Sequence, residues 1–149
     1  LCHGFHGSSF DVRTFKNIIS IALPDALFLC SESNEKDSDQ GIFEMGYKLS
    51  EEVHNYIREN CPGKQLGRLT FIGHSLGGLI IRAAMPYLEK YKDKLHGLLT
   101  LCSPHLGCMY HQSKLFSTGM WVLKNWKKSS VLDQLTMSEC DTIEETALF

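Results

Sequence analysis

Leu69-Thr70-Phe71-Ile72-Gly73-His74-Ser75-Leu76-Gly77-Gly78-Leu79-Ile80-Ile81-Arg82 is the stretch on which the fold turns. Leu69, Phe71 and Ile72 make a short apolar run of the kind expected for a strand buried on both faces. From Leu76 to Tyr91 the apolar residues change to helical spacing: Leu76, Leu79, Ile80, Ala83, Ala84, Tyr87 and Leu88. Between them, Gly73-His74-Ser75-Leu76-Gly77 reads as G-x-S-x-G. A strand, a sharp turn and a helix in that order are the context in which this motif is a nucleophile elbow. The turn is expected to hold Ser75 in a strained backbone conformation. Side chains at Gly73 or Gly77 would then collide with neighbouring backbone. The serine Oγ is thereby raised above the sheet, and the helix N-terminus behind it favours developing negative charge. The bland alternative is a tight turn that happens to contain a serine, and the strand and helix on either side weigh against it.

Upstream, Leu1-Cys2-His3-Gly4-Phe5-His6-Gly7 reads as the end of a strand running into an H-G-x-x-G loop. Such a loop has a task where an elbow follows. A tetrahedral oxyanion needs two preorganised N–H donors, one from the residue after the nucleophile and one from an upstream strand–helix loop. Here these would be the backbone N–H groups of Leu76 and Phe5, with Gly4 and Gly7 allowing close approach of the backbone to a substrate. On its own the segment would be read as a glycine-rich surface turn. His6 is read as a solvated imidazole at the rim rather than a catalytic one.

The rest of the chain alternates. Asp11–Ala22 is expected to be a helix with Asp11 as N-cap and Val12, Phe15, Ile19 and Ala22 on one face. Pro24-Asp25 ends it, and Ala26–Cys30 reads as a short buried strand. Ser31–Gln40 has no apolar residue and is expected to be a surface loop or partly disordered. Gly41–Asn60 is the clearest amphipathic helix, with Ile42, Met45, Leu49, Val53, Tyr56 and Ile57 inward, stopped by Pro62-Gly63. Pro86 should end or kink the elbow helix, and His96–Leu101 is a third apolar strand. This order implies an α/β fold: a parallel sheet with helices on both faces.

Composition is that of an ordinary globular chain, with 43% hydrophobic and 21% charged residues, and 149 residues suit one domain. A net charge of −2 leaves no electrostatic footprint for nucleic acid. No apolar run approaches the roughly 18 residues of a membrane span. The chain starts at Leu1 rather than Met, so the natural N-terminus is expected to lie further upstream. Cysteines at 2, 30, 61, 102, 108 and 140 follow no framework spacing, and there is no Asn-x-Ser/Thr acceptor. Both lean towards a reducing, intracellular, cytoplasmic setting.

The loop Cys102–His111 carries the sharpest rival chemistry. Cys102, His105, Cys108 and His111 recur every third residue, and all are zinc-ligand types. A tetrahedral site draws its pairs from two separated segments, however, and Pro104 stiffens this one. The preferred reading is a loop at the C-terminal edge of the sheet that lines the pocket beside Ser75, with no metal and no cofactor. His105 is then a rim residue and a candidate base, whereas His74, next to the nucleophile, faces elsewhere. Elbow hydrolases place the acid and then the histidine after the serine. Only Glu89 and Asp93 follow Ser75 and precede a later histidine, and both fall where the helix returns to the far end of the sheet. The acid and base are therefore expected beyond Phe149.

Taken together, His-Gly-x-x-Gly, Phe-Ile-Gly-His-Ser-Leu-Gly, Ser-Pro-His-Leu-Gly and the tail Ser-Thr-Gly-Met-Trp…Trp-Lys-Lys-Ser-Ser…Leu-Asp-Gln-Leu-Thr are similar to one family. They resemble the lipase-like "putative serine esterase" domain that ends the large eukaryotic "family with sequence similarity 135" proteins. The likeness runs nearly the full chain. It implies an α/β-hydrolase fold, Ser75 as nucleophile, and an acid and a histidine past the end of the chain. It further implies that the strand before the His-Gly loop, of which only Leu1-Cys2 is present, lies between the two strands that follow in sequence. Residues 1–149 would then be part of a domain, with an incomplete sheet. Cys102 and Cys108 depart from the family pattern, which has small or hydroxyl residues there.

Thr118–Trp126, with Trp121, Trp126 and neighbouring lysines, sits where such enzymes insert lids. A transient contact with a membrane surface through Trp121 and Trp126 is one reading, and an ordinary helix packed on the body is the other. Two functions are carried forward. One is a serine hydrolase acting on carboxylic or lipid esters through Ser75. The other is a catalytically inactive module that keeps the fold as an interaction platform.

Overall fold

The computed structural model describes residues 1–63, 66–108, 129–137, 145, 146 and 148. Its architecture is α/β, with helices packed on a small parallel sheet. Leu69–His74 forms β1 and Leu95–Leu101 forms β2, paired in parallel with Phe71 opposite Leu98 and His74 opposite Leu101. Residues 1 and 2 extend this sheet on the other side of β1. The Cys2 N–H donates to the Ile72 carbonyl at 2.9 Å, and the His74 N–H donates to the Cys2 carbonyl at 3.0 Å. Leu1 in turn donates to the Leu29 carbonyl at 2.6 Å, and its own carbonyl receives the Ser31 N–H at 2.9 Å. Leu1-Cys2 thus lies between residues 29–31 and β1.

The core sits between two helices, α2 (Ile42–Asn60) and α3 (Leu76–Ala84). Ile42, Met45, Leu49, Val53 and Ile57 recur at helical spacing along α2 and are all buried, while Tyr56 is half-buried and donates to the Phe28 carbonyl. They join Phe71, Leu76, Leu79, Ile80, Ala83 and Leu88 in one cluster. Gly46 lets the two helices close on each other: a Cβ there would stand 2.6 Å from the Ala83 Cβ. Gly41, the N-cap of α2, has no side chain to offer the first turn. Gln134 fills that role, its Oε1 accepting the Ile42 N–H at 2.7 Å from a short helix, α4 (Ser130–Leu135).

Several expectations change. α1 spans Ser9–Ala22, with Ser8 as N-cap in place of Asp11. Asp11 sits at the third helical position, where its Oδ2 accepts the Ser8 N–H at 2.7 Å, as in a capping box. Val12 is the one buried residue of α1, while Phe15 and Ile18 are exposed. Ala26–Cys30 is not a buried strand: Leu27 is exposed, and residues 29–31 pair through Leu1 alone among the described residues. The elbow helix stops at Ala84, just before Pro86, the residue expected to end or kink it. Pro86 has no N–H for an α-helical bond, and Met85–Lys94 continues as 3-10 turns with a break at Leu88. β2 forms as expected but lies exposed at Leu98 and Leu99.

Ser31–Gln40 is a loop as expected, but one fastened to the body. Ser31, Asn34 and Ser38 are buried in spite of the segment's polarity. Glu52 of α2 accepts from the Ser31 hydroxyl and the Glu32 N–H, the Asn34 amide donates to the Met45 carbonyl, and Lys48 reaches Asp37 and Gln40. No described helix is long and apolar enough to cross a membrane. Thr118–Trp126, with Trp121 and Trp126, lies outside the described residues.

Candidate active site

Ser75 stands between the end of β1 and the start of α3 with φ 54° and ψ −123°. This left-handed conformation is rare for a residue with a side chain, and the surrounding bonds hold it. The Ser75 N–H donates to the Leu101 carbonyl at 2.8 Å, tying the turn to the end of β2. Its carbonyl accepts the Gly78 N–H at 3.2 Å. The glycines beside it stand where no side chain fits. A Cβ at Gly73 would come 2.6 Å from the Gly78 nitrogen, and one at Gly77 would come 2.5 Å from the His3 carbonyl oxygen. Leu76 is the first residue of α3, so its N–H belongs to the helix turn that has no intrahelical acceptor. Such a terminus favours an anion.

The loop after Cys2 lies against this turn. A Cβ at Gly4 would be 3.0 Å from the Ser75 Cβ and 3.5 Å from its Oγ. The Gly7 N–H donates to the Gly4 carbonyl at 3.0 Å, closing a tight turn that contains Phe5 and His6. His6 sits at φ 51°. Its N–H donates to Ser38 Oγ at 3.0 Å, and its Nε2 is 3.3 Å from Asp39 Oδ1, so it is tied into the loop's support rather than merely solvated. Next to Gly4, His3 is wholly buried, with Nδ1 2.9 Å from the Gly4 carbonyl oxygen. Its Nε2 has no hydrogen-bond partner among the described residues.

On the other side, the segment after β2 begins with the exposed Cys102 at φ 54°. His105 turns its Nε2 to Thr100 Oγ1 at 3.1 Å, and its carbonyl accepts from Arg82 at 3.3 Å. Among the described residues no imidazole is hydrogen-bonded to Ser75 Oγ, and no group of three or more His, Cys, Asp or Glu is gathered to hold a metal. His111, the last of the four spaced ligand types, lies outside those residues. Ser75, Gly4, Gly73 and Gly77 are thus brought together with the Phe5 loop and the Leu76 N–H, while His105 is engaged elsewhere. Sequence reading missed the Ser38–Asp39 contact with the loop, because a run of polar residues carries no period to show which of them turn inward.

Among curated proteins, the "Putative lipase YDL109C" of Saccharomyces cerevisiae is 33% identical over 81 residues, a match covering 50% of this chain. The matched region is 12% of that relative's own length. No solved structure matches the chain. The family model described as "Putative serine esterase (DUF676)" matches residues 1–147. On that match, nearly the whole of its length, the chain belongs to this serine esterase family.

Proposed function

We propose that this chain is the nucleophile-bearing part of an α/β-hydrolase that cleaves carboxylic esters through Ser75. The observation that carries the reading is the backbone of Ser75: a serine at φ 54° between a parallel strand and a helix, with a glycine loop packed against it. The family and the lipase-named relative support the reaction class. In the proposed reaction Ser75 Oγ attacks the ester carbonyl. The Phe5 and Leu76 N–H groups receive the oxyanion, and the alkoxide leaves as the alcohol after taking the proton that the serine gave up. Water then releases the acid from the acyl-enzyme. The base and its acid partner are assigned to residues beyond Phe149, since the serine–acid–histidine order finds no suitable pair within the chain. Lipid esters are the proposed substrate class, with Trp121 and Trp126 touching a membrane surface transiently.

The second reading is a module of the same fold that is catalytically silent and serves as a platform. It rests on the strand, turn and helix around Ser75, which would survive loss of the base and acid that the reaction needs. A fluorophosphonate probe separates the two. In the full-length protein the probe should label Ser75, and Ser75→Ala should abolish labelling. Equal labelling of the mutant removes the esterase reading. A folded wild type that stays unlabelled favours the platform.

A further inference from the structure

We infer that the polar segment Ser31–Gln40 is the part of the molecule that positions the Phe5 loop, with Ser38 and Asp39 as the residues in direct contact. The inference rests on the esterase reading for its catalytic consequence and on geometry alone for its structural one.

Two N–H groups from different parts of the chain must point at one small oxygen for an oxyanion site to work. The Leu76 N–H is fixed by α3, which packs directly on α2. The Phe5 N–H is on a turn with no secondary structure of its own, and its neighbour His6 is in the left-handed region, where a residue with a Cβ needs support. That support comes from across 32 residues of chain. Ser38 Oγ accepts the His6 N–H at 3.0 Å, and Asp39 Oδ1 lies 3.3 Å from His6 Nε2. A few residues on, Glu35 Oε1 accepts the Ser9 N–H at 2.7 Å, a bond that holds the Glu35 carboxyl below its usual range.

The segment itself is fastened at its other side to α2. Glu52 takes Ser31 Oγ at 2.6 Å and the Glu32 N–H at 2.8 Å, and the buried Asn34 reaches the Met45 carbonyl at 3.0 Å. Lys48 Nζ meets Asp37 Oδ2 at 3.2 Å and Gln40 Oε1 at 2.5 Å. From the N-cap of α4, Ser129 Oγ donates to the Asp39 carbonyl at 3.3 Å. Both donor-bearing elements are therefore referenced to one body, α2: Leu76 through apolar packing, and Phe5 through a polar strap. Ser38 is 3% exposed, so its hydroxyl is held in place and is not a surface decoration. Misplacing a donor by a fraction of an ångström weakens transition-state stabilisation without altering what a bound ester touches. Removal of a whole oxyanion donor costs roughly 100- to 1000-fold in kcat, so loosening one should cost less.

The test uses the full-length protein, short p-nitrophenyl esters, and amide hydrogen exchange read at residues 3–8. Ser38→Ala removes the acceptor for the His6 N–H, and Ser38→Thr restores a hydroxyl. The expected result is a fall of about tenfold in kcat with KM within twofold for Ser38→Ala. Faster exchange at residues 3–8 and at least partial recovery of both in Ser38→Thr should accompany it. A Ser38→Ala protein with unchanged kcat overturns the inference. So does one with lowered kcat but unchanged exchange at residues 3–8, which would mean that the loss of activity does not run through the loop. Should the wild type prove inactive, the esterase reading fails separately and exchange alone decides: unchanged protection of the loop in Ser38→Ala overturns the positioning role, and lost protection sustains it.

Discussion

Cys2 lies on one side of β1 and Cys102 follows β2 on the other, yet the first is 1% exposed and the second lies open to solvent. Burial pushes the Cys2 thiol up to about 12, because a thiolate there would be stripped of water. A raised pKa means that the folded chain keeps a proton which the unfolded chain gives up, so the contribution is whole below about pH 9 and is lost as pH climbs towards about 12. The thiol chemistry should divide the same way. Iodoacetamide at pH 8 should alkylate Cys102 readily and leave Cys2 untouched until the protein unfolds, as peptide mass mapping would read. Equal rates at the two sites under native conditions would mean that the Cys2–Gly73 bridge opens readily. Ser75 itself should report on the same bridge, since the Cys2 carbonyl is bonded to His74, one residue before it.

The contact of α2 with α3 is what places the serine turn, and it depends on Gly46. A Cβ there would stand 2.6 Å from the Ala83 Cβ and 2.7 Å from the Ala83 carbonyl carbon, so the helices must part to admit it. Alanine raises helix propensity by up to about 1 kcal/mol, whereas overpacking a closed core costs about 1–3 kcal/mol. Gly46→Ala should therefore lower the stability of the full-length protein, by about 1–2 kcal/mol in urea unfolding. An unchanged or raised midpoint would show that the two helices slide apart at little cost. α2 was legible in the sequence because Ile42, Met45, Leu49, Val53 and Ile57 mark one stripe at a 3.6-residue period. β1 and the start of α3 were legible because their apolar pattern switches at Gly73–Ser75. The cap of α2 was not, since Gln134 reaches Ile42 across 92 residues and no local signal announces a partner so distant. Nor was the role of Ser31–Gln40, whose order comes from hydrogen bonds to Glu52, Lys48 and the Met45 carbonyl. Polarity alone reads the same in a strap as in a loose loop. Propensity also misplaced the exposed ends: Ala26–Cys30 looks like a strand by composition, but a strand needs a neighbour along its length, and among the described residues it pairs with Leu1 alone.

At the scale of the molecule, the apolar surface is distributed unevenly. Ile18, Ile21, Leu23 and Leu27 are 62%, 84%, 57% and 59% exposed, and Phe10 is 67% exposed on the same helix as Ile18. On β2, Leu98 and Leu99 are 48% and 51% exposed, and as successive residues of a strand they point to opposite faces. A parallel strand open on both faces departs from the usual case, in which such sheets are covered on each side. Each of these side chains forgoes on the order of 1 kcal/mol or more of the burial it would gain in a core. Together they amount to a large share of the roughly 5–15 kcal/mol that keeps a domain folded. Against this stands one well-packed body, α2 with α3 and β1, which can retain its helices when the rest is loose. Residues 1–149 expressed alone should therefore be aggregation-prone, or compact without fixed packing, and inactive towards esters. They should show helical circular dichroism, bind 1-anilinonaphthalene-8-sulfonate and melt over a broad range. A longer form of the protein that covers these faces should melt sharply and lose the dye binding. Dispersed amide resonances and a steep, reversible thermal transition from residues 1–149 would contradict the argument, because they would require Leu98, Leu99 and the Ile18–Ile21 face to be buried in solution.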